Sequence, residues 1–422
     1  MARAAAGGTD RLRQGNLSAL LRIVASAGPL TRADLARRTG LNRSTVGTLV
    51  SELVEFGWVS EAQPETSAGV GRPSSVVSVS EAVTAIIVQP TAEAIGISQV
   101  GLGGVLRRQI WAEEERVPTA GEAVNVSAAV IEAMRGDPTS GGRVMGACVV
   151  VPGPVSGASG HVTLDGKLGW KHVPFGRLLA EATGLSVRVA TDAHVAALGE
   201  SILGAARATN NSLYVNGDSF GIRGGVVVQG ETFAGHRGLA GSVGHVQVNP
   251  TGALCACGRT GCLEAEISLS RLLHAANTGD EQELELALAS PTRRLSHESE
   301  RQLALLATAL LDSISLLDVE LIVLDGYLRV LMERFPQSLE STLKSTSVHA
   351  VGAELSGDNV TLGASQLVFG ELLENPTLVA ERFAQPADDS QHWSRQRLNP
   401  AVFRRVSPPA ATAEAADRPN KE

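Results

Sequence analysis

Three of the four cysteines, Cys255, Cys257 and Cys262, fall within eight residues, and His245 lies ten positions before the first of them. Three thiolates and one imidazole form a four-donor set suited to tetrahedral zinc. Gly258 and Gly261, inside the same run, let the backbone turn tightly around an ion. With all four positions filled by protein, a bound zinc would be structural and leave no open coordination site for catalysis. The competing reading is a buried or solvated thiol group without metal. Cys148 stands in an apolar stretch and reads as a core residue.

These residues need a scaffold, and the sequence around them reads as strands followed by helices. Ala85–Val88, Ala94–Ile97, Gly104–Arg107, Val144–Val151, Val187–Ala190 and Leu213–Asn216 are short apolar or alternating runs. Residues 120–134, Ala193–Ala208 and 300–319 have helical texture. Two such halves point to a mixed α/β body with a cleft between lobes. At 422 residues and 43% hydrophobic content the chain has room for two or three domains and a large core. No run approaches the roughly 18 apolar residues of a membrane span. The first residues lack the apolar core of a signal peptide, so a cytoplasmic location is expected. There, a close Cys set favours metal over disulfides.

The first eighty residues have a different character. They carry nine Arg, no Lys and six acidic residues, a charge of +3, against −11 for the remainder. A mildly basic head on an acidic body points to nucleic acid at the head only. Leu17, Leu20, Leu21 and Val24 share one helix face. Thr31 caps a second helix, with Asp34 at its third position and Leu30 and Leu35 placed as a staple. Gly40 ends that helix and Asn42 caps a third, whose buried face is Val46, Leu49, Val50 and Leu53. This is a helix-turn-helix. Arg43, Ser44, Thr45 and Thr48 lie off the apolar face and are candidates for the DNA major groove, with Arg37 and Arg38 as phosphate contacts. Two strand-like runs, Trp58–Glu61 and Val76–Val79, flank a Gly/Ser-rich loop and form a wing from which Arg72 can enter the minor groove.

From about residue 15 to 375 the chain resembles the ROK family of repressors and sugar kinases, of the NagC/XylR regulator type. The strongest piece is the run from Gly244-His245 through Cys255-Ala-Cys257-Gly-Arg-Thr-Gly-Cys262-Leu-Glu264. Pro152-Gly153-Pro154, Leu168-Gly169-Trp170, Asp192-Ala193, Gly221–Gly225, Gly235–Gly241 and Thr361–Ala364 also match. The resemblance implies an α+β multidomain chain: a winged helix-turn-helix over 1–80, then a two-lobed actin-like, hexokinase-type ROK domain over 81–375 with a structural zinc. It also implies a homodimer or tetramer. Residues 376–422, rich in Pro, Ala and charge, read as a disordered tail.

Departures from the family pattern bear on function. Asp192 stands at the kinase base position, but Thr191 and His194 replace asparagines around it. Ser242 replaces a sugar-binding glutamate, while His245 and Glu264 are retained. Lys167 replaces an Asn. The phosphate loop reads Gln89-Pro90-Thr91-Ala92-Glu93 in place of Asp-x-Gly-x-Thr. Phosphoryl transfer depends on positioning and charge stabilisation, so these losses argue against an enzyme. The leading expectation is a repressor of carbohydrate-related genes that binds a double-stranded DNA operator. Its ligand site comprises Asp192, Thr191, Ser242, His245 and Glu264, for a sugar or sugar-phosphate effector. The alternatives are a regulator whose body only dimerises and, further off, an active sugar kinase.

Overall fold

The computed structural model describes residues 2–63, 75–136, 142–156, 160–165 and 168–384. Arg72 and Lys167 therefore lie outside the described residues, as does the chain beyond 384.

The head comprises α1 (Ala2–Ala27), β1 (Leu30–Thr31), α2 (Arg32–Thr39), α3 (Arg43–Glu55), β2 (Val59–Ala62) and β3 (Val76–Val79). Its three strands pair in the order β1-β3-β2. The expected caps form. Thr31 and Asp34 make a reciprocal capping box on α2, Gly40 closes that helix in the left-handed region (φ 71°), and the Asn42 side chain accepts from Thr45 N at 2.8 Å. Each such cap contributes about 1 kcal/mol. Val46, Leu49, Val50 and Leu53 are buried against Leu17, Leu20, Leu21 and Val24.

The first lobe of the body contains β4 (Val83–Pro90), β5 (Ala94–Gly101), β6 (Leu106–Glu113), α4 (Ala120–Gly136), β7 (Arg143–Val151), β8 (Val155–Ser156), β9 (His161–Asp165), β10 (Trp170–Val173), α5 (Phe175–Thr183) and β11 (Val187–Thr191). The second contains α6 (Asp192–Ile202), β12 (Ser212–Asp218), β13 (Gly221–Val228), β14 (Glu231–Thr232), α7 (Leu263–Glu266), α8 (Leu269–Ala276), α9 (Glu281–Ala289), α10 (Arg293–Leu317), β15 (Leu321–Gly326), α11 (Tyr327–Arg334), α12 (Pro336–Leu343) and β16 (His349–Gly352). The chain then continues into α13 (Asn359–Glu374) and α14 (Pro376–Ala384).

The two main sheets follow one plan. Their orders are β11-β7-β4-β5-β6 and β14-β13-β12-β15-β16, and in each an antiparallel meander of three strands is extended by two parallel ones. Helices α6 and α13 cross between them. A Cβ on Gly363 would sit 1.7 Å from Val195 O, so only glycine permits this approach. A buried polar knot fixes the start of α13. The Asp325 carboxylate accepts from Asn359 Nδ2 (2.6 Å), Tyr214 Oη (2.7 Å) and Ser356 Oγ (2.6 Å). Burial pushes the Asp325 carboxyl up, but these donors outweigh it and hold it below the usual range.

Two expectations are corrected. The helix expected over Ala193–Ala208 stops at Ile202, because the fully buried Glu200 carboxylate turns the chain by accepting from the N–H groups of Ala205 (2.8 Å), Leu355 (2.9 Å) and Glu354 (3.2 Å). The tail expected from 376 begins instead with α14. Pro376 opens this helix at a position that needs no N–H donor. Val379 is buried in a single core that α14 and the end of α13 share with the head, with Phe369, Leu372, Leu373, Trp58 and Leu21 among its members. Trp58 Nε1 donates to Pro376 O (3.1 Å), Ser18 Oγ to Leu373 O (2.5 Å), and Phe383 meets the Trp58 ring edge-on at 6.3 Å.

Candidate metal centre, cleft and nucleic-acid interface

His245 ends a short 3-10 turn, Val243–His245, and the cysteines follow on a folded loop. Isolated bridges pair Gln247 with Cys262 and Leu254 with Thr260, and Cys255 N donates to Arg259 O at 2.8 Å. Gly261 is needed for two reasons: its φ is 69°, and a Cβ there would lie 1.5 Å from Asn249 O. Glu266 supports the loop by accepting from Ala253 N at 2.6 Å.

The result brings one donor atom each from His245, Cys255, Cys257 and Cys262 within 4.8 Å of one another. Cys257 Sγ lies 3.6 Å from Cys262 Sγ, and Cys255 Sγ lies 3.8 Å from His245 Nδ1. Tetrahedral zinc with Zn–S bonds of about 2.3 Å would space its sulfurs by about 3.8 Å. The donor set therefore fits a zinc-like ion in both type and spacing. The thiols differ in charge tendency. Burial pushes Cys255 up to about 12, whereas the Arg259 backbone N–H and guanidinium hold Cys257 down to about 6. Glu264 Oε1 sits at the edge of the set, 3.2 Å from both His245 Nδ1 and Cys255 Sγ.

His245 also faces the cleft. A smaller chamber of about 250 Å³ is lined by Thr191, Asp192, Ser242, His245 and Glu264, together with the Pro152–Pro154 turn and Arg223. All five residues expected to meet a ligand thus converge on one space. Ser242 contributes least, since its hydroxyl turns back to Leu239 O at 2.6 Å. His194 Nε2 contacts Ala240 O at 3.0 Å and steadies the same loop. A larger chamber of about 480 Å³ opens beyond, lined by residues 89–94, Trp111, Leu168, Asp218 and Val360, and it shares Pro152, Asp192, Phe220 and Arg223 with the smaller one.

Between the chambers stands Arg223, which sequence reasoning did not single out. Its Nη2 lies 2.6 Å from Asp218 Oδ2 and its Nε 3.0 Å from Asp192 Oδ2, the latter too poorly aligned for a hydrogen bond. Burial pushes the Asp192 carboxyl above the usual range, and Arg223 opposes that rise. Asp218 in turn accepts from Phe220 N (2.7 Å) and Asn216 Nδ2 (3.0 Å). On the facing hairpin, Thr91 Oγ1 accepts from Ala94 N (2.9 Å) and Glu93 N (3.3 Å), and Thr91 N donates to Ala94 O (2.8 Å). Three of the amides that a glycine loop would aim at a phosphate, those of Thr91, Glu93 and Ala94, are used inside this turn. A visible signal was the single Arg within Gly221–Gly225, a cation in a run otherwise suited to close backbone approach.

In the head, Arg43, Ser44 and Thr48 are exposed along the start and outer face of α3, and Thr45 is half-buried beside them. Arg38 is exposed, and Arg37 is also exposed but ion-paired to Asp34. Arg32 is engaged bidentately by Glu61 (2.6 and 2.9 Å), which ties α2 to the wing strand and holds the Glu61 carboxyl below the usual range.

Residues 105–371 match the ROK family model and residues 16–62 the IclR helix-turn-helix domain. A putative xylose repressor of Caldicellulosiruptor sp. (strain Rt8B.4) is 29% identical over 273 residues, covering 63% of this chain and 67% of that protein. A glucokinase of Halalkalibacterium halodurans is 35% identical over 167 residues, 39% of this chain and 50% of the kinase. Among solved structures, a ROK family transcriptional regulator described as a homolog of the E. coli MLC protein superposes with a TM-score of 0.71 at 21% identity, covering 88% of this chain and 99% of that one.

Proposed function

Since the chain belongs to the ROK family, we propose that it is a DNA-binding transcriptional regulator, a repressor of carbohydrate-related genes whose body senses a sugar-type ligand. The observation that carries this reading is the Asp218–Arg223–Asp192 ion-paired group on the second lobe's side of the cleft, in a chain that also carries an exposed, well-capped recognition helix. A kinase base must be free to take a proton from a sugar hydroxyl. Here Asp192 faces a guanidinium instead, and the Thr91 turn commits the amides of Thr91, Glu93 and Ala94 to itself. The xylose repressor named above supports the regulator reading, and the glucokinase keeps the kinase alternative in view.

In this reading Arg43, Ser44, Thr45 and Thr48 enter the major groove, and Arg38, Arg37 and the wing's Arg72 contact backbone or minor groove. His245, Cys255, Cys257 and Cys262 hold zinc, which when bound cross-links the loop and fixes the His245 ring at the chamber wall. Residues 1–80 form the DNA-binding unit, completed by α14 and the end of α13. A twofold dimer would read half-sites one or more helical turns apart. Helix α13 supports a coupling route. Val360 in its first turn lines the larger chamber, and Leu372 and Leu373 in its last turn lie in the head core, about 18–20 Å further along the helix. A ligand that moves the first turn displaces the last, and with it the head.

The test is fluorescence anisotropy of the purified full chain on DNA from its own upstream region, beside a coupled ATP/hexose assay. Specific binding is expected, with Arg43→Ala weakening it by about 1–3 kcal/mol and Arg38→Ala lowering the salt slope by about one. Turnover of a hexose at ordinary enzyme rates would reverse the assignment.

A further inference from the structure

The larger chamber has no assigned occupant, and its construction is specific. Trp111 lies on the edge strand β6 directly opposite Gly96 of β5. A Cβ at Gly96 would stand 2.6 Å from Trp111 Cζ3 and 2.8 Å from Cη2, so the indole is laid across a strand that is bare at that point. The ring forms part of the chamber wall beside Pro90 and Val360. An aromatic face held flat in this way is a stacking platform for a flat, partly apolar ligand such as the C–H face of a pyranose.

Charge narrows the ligand further. The chamber is lined by three carboxylates, Glu93, Asp192 and Asp218, and one cation, Arg223, which is already engaged by two of them. A phosphate entering here would meet no uncommitted cation among the lining residues, and the turn at Thr91–Ala94 uses the amides of Thr91, Glu93 and Ala94 internally. Arg223 offsets one of the two inner carboxylate charges, and burial favours the neutral form of Asp192, which leaves the exposed Glu93 unbalanced. The walls therefore suit an uncharged ligand over a phosphate.

Size gives the third constraint. The chambers share Asp192, Phe220 and Arg223, so one molecule can span both. About 250 Å³ is small for an ordinary ligand pocket, whereas the two spaces together fall in the usual range of roughly 300–1,000 Å³. Resting on the sensing role set out above, we propose that the body binds an uncharged glycoside of at least two rings, with one ring among Thr191, Asp192, His245 and Glu264 and the next stacked on Trp111.

Isothermal titration of the full chain with glucose, xylose, N-acetylglucosamine, their terminal phosphates, and cellobiose, xylobiose and maltose tests this. At least one disaccharide is expected to bind tenfold or more tighter than its monosaccharide, with the phosphates weakest. Trp111→Ala should remove that advantage and leave monosaccharide affinity unchanged. Should Trp111→Ala lower the melting temperature strongly, Trp111→Leu, which keeps an apolar filler over Gly96 without an aromatic face, decides in its place. A phosphate that binds tightest, no disaccharide above its monosaccharide, or an advantage that survives both variants would overturn the proposal. Operator binding by the ligand-free wild type, measured on the same preparation, reports separately on the regulator reading.

Discussion

The two walls of the cleft have opposite characters. The loop from His245 to Cys262 carries four converging soft donors, with Gly261 in a place that admits no side chain. The facing hairpins at Thr91–Ala94 and Asp218–Gly221 have the opposite bias. Where a nucleotide phosphate would require free amides, one hairpin turns the Thr91 hydroxyl onto its own backbone and the other presents Asp218 ion-paired to Arg223. In the proposed reading one wall holds an ion and a ring in place, and the other disfavours polyanions. A fold that catalyses phosphoryl transfer needs both walls, whereas a fold that only recognises a sugar needs the first.

Removing metal should separate the walls most sharply. Chelation is expected to lower the melting temperature by more than about 10 °C, since structural zinc contributes on the order of 10 kcal/mol in small domains and a fraction of that here. Sugar affinity should fall with it, because His245 belongs to both sites. A melting curve indifferent to chelator would erase the contrast.

Next in size is Arg223→Ala, which strands the Asp192 carboxylate. Breaking a fully buried pair costs about 3–5 kcal/mol. Both side chains here keep about a fifth of their surface exposed (21% and 18%), so about 2 kcal/mol is expected. The pH dependence has a definite sign. Burial raises the folded-state pKa of Asp192, so its contribution to stability is present below the unfolded value of 3.8 and is lost as pH rises through the folded one. Without Arg223 the folded pKa climbs further, and the variant should lose more stability than wild type between pH 4 and 7 in parallel thermal melts. Equal losses would mean that the guanidinium does not act on Asp192.

The smallest effect is a gain. Ser242→Glu returns a carboxylate to the chamber lip and should tighten hexose binding about tenfold, or about 1.4 kcal/mol, in a calorimetric titration. Unchanged affinity would mean that the lip no longer meets the ring.

Much of this was legible in the sequence. Capping residues with fixed offsets announced the head, because Thr31/Asp34 and Asn42 work through local hydrogen bonds that spacing alone specifies. The donor set of the metal loop was legible for the same reason. Arg223 was not. Its effect depends on Asp192, which is remote in sequence, and on a β13 register that pairs it with Asn216 beside Asp218. Thr91 was read as the loss of a glycine, but its hydroxyl also ties up the turn. Helix α14 was hidden by composition. The Pro-, Ala- and charge-rich composition of 376–422 suggested a tail, while Val379 and Phe383, four residues apart, share a helix face that meets the head.

That shared core sets an order of events during synthesis. The carbonyl that the Trp58 indole binds, Pro376 O, is made 318 residues after Trp58. At roughly 5–20 residues per second the head waits roughly 15–60 s for its last wall. A chain cut short before α13 carries all of its recognition helix and none of that wall. Competence to bind DNA is expected to arrive only once α13 and α14 have been made, so a chain halted before them should be a poor operator binder.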